Sequence, residues 1–234
     1  MNEIALKELL YKIADDQLIL GHRNSEWTGF GPLLEEDIAF SSMAQDKIGQ
    51  SYALYQMLES LGERDPDTVA FNRSASQFHN SVFVELPNGE YDFSLVRHFL
   101  YDTAEAIRFE MLSESAYQPL ADISKKIRAE LRYHTLHANT WIKQLGSATE
   151  ESISRLQNSL TLAMPYALGM FEESPYEKEL IGSKIFGGEQ ALKTQWIKKV
   201  EAVIGQTSLH LPDWKTLQPV TGGRTGKHSE HLQP

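Results

Sequence analysis

The stretch AELRYHTLHANTW, residues 129–141, sets Glu130, Tyr133, His134 and His137 within eight positions of one another. Residues three or four apart on a helix share a face. A carboxylate and an imidazole at that spacing can hold one metal, and a carboxylate-bridged di-iron site needs two such pairs plus one carboxylate from each of two further helices. Asp15 and Asp16 stand beside an apolar stripe near the N-terminus, Asp46 lies in a second helical stretch, and Asp102 and Glu105 lie in a third. The oxygen donors for such a site are therefore present. The imidazoles are not: three residues after Asp46 stands Gly49, and three after Glu130 stands Tyr133. A phenol with a pKa near 10 is a reluctant ligand. His134, at a spacing of four, completes at most one half-site.

The same residues have plainer readings. Acidic side chains at helical spacing form a solvated face, or they are buried and paired. Arg23, Lys47, Arg108, Arg128 and Arg132 are the candidate partners in the same helices. His22, His79, His98 and His137 read as helix-surface or core-edge histidines. Cysteine is absent, which removes thiolate nucleophiles, disulfides and cysteine-ligated metals. There is no G-x-S-x-G, Walker or dinucleotide-binding glycine motif. TGGRTG near the C-terminus lacks the strand and helix that would make it a phosphate cradle.

Helices must position these residues. Apolar residues recur at three and four from Ile4 to Leu20, with Gly21 as an expected stop. A second helix is expected from about Pro32 to Leu61, where the interior Gly49 costs about 1 kcal/mol against alanine and requires a packing reason. Further helices are expected over 91–115, 119–145, 150–173 (kinked at Pro165) and 189–204. Residues 63–89 read as a DPDT helix start followed by a short helix or a small hairpin with an Asn88-Gly89 turn. The economical fold is an all-α bundle on four long helices with shorter ones added, covering residues 1–205. A Gly/Pro-rich tail, 206–234, is expected to be docked or disordered.

The chain has 234 residues, 41% of them hydrophobic, with 22 Lys+Arg against 32 Asp+Glu for a formal charge of −10. That balance disfavours nucleic acid and gives no general attraction for a polyanionic acyl-CoA. No apolar run reaches the ~20 residues of a membrane span. The N-terminus is not built like a signal peptide, so the cytoplasm is the expected compartment.

Three stretches carry a resemblance over nearly the whole chain: LGHRNSEWTGFGPLLEEDIAFSSMAQDKIGQ, DTVAFNRSASQFHNSVFVELPNGEYDFSLVRHFLYD and AELRYHTLHANTWIKQLGSATEES. The ending TGGRTGKHSEHL adds to it. The sequence resembles the C subunits of the multicomponent phenylacetyl-CoA oxygenase, or ring 1,2-epoxidase. The family's chains usually continue with a short helical stretch beyond the point where this one stops at Pro234. The resemblance implies a ferritin-like helical bundle and a non-catalytic structural subunit that pairs with and stabilises a di-iron catalytic A subunit, with no metal or other cofactor of its own. It also implies that Asp16, Asp46, Asp102 and Glu130, with His134, are vestigial ligand positions, Gly49 and Tyr133 standing where histidines would be needed. On this reading Glu130 is a buried, paired charge whose removal costs ~3–5 kcal/mol. The basic arm Arg224, Lys227, His228 and His231 docks on the catalytic subunit, and Trp27, Phe30, Trp196 and Trp214 are interface anchors or core. A homo- or hetero-oligomer is expected. The alternatives are a di-iron oxygenase holding its own metal and a stand-alone acyl-CoA-binding bundle.

Overall fold

The computed structural model describes residues 2–232. They form nine α-helices and two short 3₁₀ turns, with no strand among the described residues. The chain divides into two compact units. One comprises Met1–Asn88, Ser174–Ser183 and Thr221–Pro234; the other comprises Gly89–Glu173 and Lys184–Val220.

In the first unit, α1 (Glu3–Ser25) starts at Asn2, whose side chain accepts from the amides of Ile4 and Ala5. That satisfies donors a helix start leaves open. The helix does not stop at Gly21. Gly21 is buried within it, and the Ile48 side chain of α2 (Leu34–Ser60) packs directly over it. A side chain there would have to displace the Ile48 side chain. The pairs Gln17–Lys47, Asp15–Tyr55 and Thr28–Ser41 show that α1 and α2 run antiparallel. Leu6, Leu10, Ile13, Met43, Leu54 and Leu58 fill the contact. Residues 63–89 contain no hairpin. They fold as α3 (Pro66–Phe71), capped by Asp65 with Pro66 at its first turn, a 3₁₀ turn, and α4 (Val82–Glu85).

In the second unit, α5 (Tyr91–Leu112) and α6 (Gln118–Leu145) form the long antiparallel pair, and α7 (Glu150–Gly169) and α9 (Glu189–Ile204) pack on α5. Thr149 and Ser152 cap α7 reciprocally. The short α8 (Glu177–Gly182) belongs to the first unit. Trp196 is fully buried, donates its indole N–H to the Leu100 carbonyl at 2.8 Å and stacks obliquely on Phe171. It is core rather than an interface anchor. Phe30, at 79% exposure, is not.

Candidate functional site

Asp15 and Asp16 are neighbours on α1, both buried, and point about 100° apart because an α-helix turns that much per residue. Asp15 accepts from the Tyr55 hydroxyl at 2.6 Å, from both terminal nitrogens of Arg73 and from the His79 amide at 2.7 Å. The Arg73 guanidinium also lies over the Phe78 ring, 3.9 Å from its centroid. Burial raises the Tyr55 phenol well above its usual range, and the Asp15 charge adds to that. Tyr55 is therefore a donor to Asp15 at any working pH.

Asp16 looks the other way. Its Oδ1 accepts from the Ser81 amide at 2.7 Å, and its Oδ2 accepts from Nη2 of Arg224, in the tail, at 2.7 Å. The Nη1 of Arg224 donates to the carbonyls of Lys12 and His79. The expected vestigial ligand on α1 is thus half of an ion pair with a side chain some two hundred residues away in sequence.

The tail binds its own unit at a second point. Glu85, fully buried, accepts from Asn80, from both the amide and the hydroxyl of Ser229, and from His228 Nδ1 at 2.6 Å. His228 Nε2 lies 3.0 Å from the Phe78 carbonyl. Both ring nitrogens face acceptors, which suits the doubly protonated imidazolium. Burial opposes that charge, but hydrogen bonds to Glu85 and the Phe78 carbonyl overcome it, so the His228 pKa is raised. Burial likewise opposes the Glu85 charge, and the His228 and Ser229 hydrogen bonds overcome it, so its pKa is lowered.

Two glycines let the tail come this close. A Cβ on Gly223 would lie 2.3 Å from the Asn80 carbonyl oxygen. Gly226 has φ +78°, and a Cβ there would lie 2.4 Å from the Ser76 carbonyl oxygen. TGGRTG is a docking turn, not a phosphate loop. The arm expected to seat on a partner is engaged at Arg224 and His228 within the chain, with Lys227 left exposed. An open groove of about 720 Å³ lies beside it, with Phe71 and Phe78 on one side and His231 and Leu232 of the tail on the other.

The α2 positions read from sequence are displaced by one residue from the buried polar ones. Asp46 is half-buried and Gly49 exposed, whereas Lys47, Gln50 and Ser51 are buried. The Lys47 ammonium lies 3.5 Å from the Gln17 amide oxygen. Lys47 is among the cations read from sequence as partners of these acids, whereas Gln17 and Gln50 are missed, because a glutamine beside an aspartate carries no distinguishing signal.

In the second unit, Asp102 is fully buried on α5. Its Oδ2 accepts from His98 Nδ1 at 2.5 Å, and its Oδ1 lies 3.5 Å from His134 Nδ1 on α6. Burial pushes the His98 pKa down to about 4. The neutral ring therefore donates to Asp102 and accepts at Nε2 from His137 Nδ1, 3.3 Å away. Glu105 is bound to Arg108, which also bridges to Glu189 of α9; all three are buried, and the two carboxylates hold the guanidinium pKa up against the effect of burial. Tyr133 is 48% exposed and Glu130 only half-buried. The cost of an unpaired buried charge therefore attaches to Asp16 and Asp102 rather than to Glu130.

Asp16 is bound to an arginine and a backbone amide, Lys47, next to Asp46 in sequence, is buried against Gln17, and Tyr133 is half exposed. Among the described residues no group of three or more His, Asp or Glu is arranged to hold a metal ion. No described helix is long and apolar enough to cross a membrane.

The chain is 32% identical, over its full length and 93% of the relative's, to the C subunit of the 1,2-phenylacetyl-CoA epoxidase of Escherichia coli (strain K12). The model of the phenylacetic acid catabolic proteins matches residues 1–234. With helices throughout and a match from end to end, this chain belongs to the phenylacetic acid catabolic protein family.

Proposed function

We propose that this protein is the structural C subunit of a multicomponent phenylacetyl-CoA 1,2-epoxidase in phenylacetate degradation, working in the cytoplasm. It pairs with and stabilises a di-iron catalytic A subunit and holds no metal itself. The observation that carries the reading is the engagement of the inherited acidic positions with the chain's own cations and imidazoles: Asp16 with Arg224, and Asp102 with His98. A carboxylate already held by a buried arginine has its charge compensated, and a metal would have to displace that cation to use it. The end-to-end match to the C subunit of the Escherichia coli epoxidase supports the same assignment.

The experiment is reconstitution. The catalytic subunit expressed with this chain is expected to be soluble and to epoxidise phenylacetyl-CoA when supplied with its reductant. This chain alone, expressed with iron and desalted, is expected to carry far less than two irons and to turn nothing over. Two tightly held irons per chain, or an A subunit equally stable and active without it, would refute the proposal.

A further inference from the structure

We infer that the outward face of α2 is the seat of a helix from a partner chain, one that presents small or apolar residues flanked by lysine or arginine. The inference rests on the reading above that this chain works as a subunit.

One exposed row along α2 comprises Ile38, Ser42, Gln45, Gly49, Tyr52 and Gln56. Their spacing of 4, 3, 4, 3 and 4 is that of a seam between two helices packed side by side. Not one carries a charge, over some five turns of a chain in which 23% of residues are charged. A helix face left in water normally carries its charged residues there. Ile38 is 59% exposed and Tyr52 50%. At the N-terminal end the seam runs on into Leu34, 73% exposed.

Gly49 is the second observation. It sits in the helix interior, where glycine costs stability against alanine, and a Cβ built on it meets nothing within 4 Å. Among the described residues no packing requires its small size. A missing side chain on an outward face lets another backbone approach more closely than helices with larger contact residues do.

Charge selects the occupant. The exposed acids of α2 are Glu35 and Glu59, with Asp37 and Asp46 half-buried; Glu36 and the single base, Lys47, are buried. Glu35 and Glu59 stand three residues before Ile38 and three after Gln56 and so close the seam at its two ends; in-register copies would set Glu35 against Glu35 and Glu59 against Glu59 if parallel, and Glu35 against Glu59 if antiparallel. A second copy of this chain would bring acid against acid whether the helices ran parallel or antiparallel. A partner helix with basic flanks is attracted instead.

The test compares wild type with Gly49→Ala, Gly49→Leu and a Glu35→Lys/Glu59→Lys double variant, each alone and with the catalytic A subunit. Alone, Gly49→Ala is expected to melt about 2–4 °C higher, because the site is open and alanine favours helix. In the complex, Gly49→Leu is expected to raise the dissociation constant for the A subunit tenfold or more. The charge reversals are expected to weaken binding and to reduce its dependence on salt. If wild type binds the A subunit and Gly49→Leu binds it equally well, this inference is overturned while the subunit assignment stands. If wild type binds no A subunit, the assignment fails and the inference with it. If the chain alone is a dimer that Gly49→Leu converts to monomer, the seam belongs to a second copy and the hetero-partner is wrong.

Discussion

Replacing Arg224 by methionine isolates the contribution of the buried ion pair. The substitution keeps much of the side-chain volume but removes the cation that sits 2.7 Å from Asp16 Oδ2, with both side chains almost wholly buried. Asp16 then keeps one donor, the Ser81 amide, and the carbonyls of Lys12 and His79 lose the guanidinium. Breaking a buried pair from one side costs about 3–5 kcal/mol. At about 2–4 °C per kcal/mol for a chain of this size, the melting midpoint falls by roughly 6–20 °C. Removing both charges, Asp16→Asn with Arg224→Met, relieves the unpaired carboxylate, so the double variant is expected to be more stable than the sum of the single effects by about 2 kcal/mol or more. The assay is a double-mutant cycle by urea unfolding, followed by far-UV circular dichroism, with proteolysis at the tail as a second probe because a chain of two units need not unfold in one step. Lys125→Ala, which breaks the exposed pair with Asp122, serves as the control and is expected to change nothing measurable. A loss under about 1 kcal/mol for Arg224→Met, or a strictly additive cycle, would falsify the claim that this pair pins the tail to α1.

His228 gives the tail a pH dependence. Its folded pKa is raised, so its stabilisation is complete below about 6.5 and is lost as pH rises through the folded value; tail proteolysis should accelerate in alkali, and His228→Gln should remove that acceleration. His98 acts with the opposite sign. With its pKa at about 4, it favours the folded state above about 6.5 and loses about 3 kcal/mol as pH falls from there toward 4, so His98→Gln should flatten the acid limb of an unfolding-versus-pH curve. Gly226→Ala meets both a positive φ and the Ser76 carbonyl and should destabilise by more than about 1 kcal/mol, read by the same urea titration. Glu130→Gln should cost less than Arg224→Met, since Glu130 is only half-buried; an equal loss would restore it as a central charge.

The helices are legible because their signals are local. Apolar spacing at three and four, Asp65-Pro66 at a helix start and Gly146 after Leu145 each report on a few neighbouring residues. The docked tail is only half legible: TGGRTGKHSE reads as turn-rich and basic, but nothing local names Asp16 and Glu85 as its partners.

Residue order alone establishes a bundle of long helices, with residues 63–89 left open and few imidazoles three residues from a carboxylate, because composition and helical period do not depend on what surrounds a helix. Which of Asp15, Asp16 and Gln17 faces which neighbour is settled by the packing of distant segments. From Lys12 to Leu18 every residue of α1 is buried. A helix enclosed on all sides has no solvent face to set the phase of its pattern, so each further residue turns a side chain by about 100° toward a different partner without leaving a mark in the sequence.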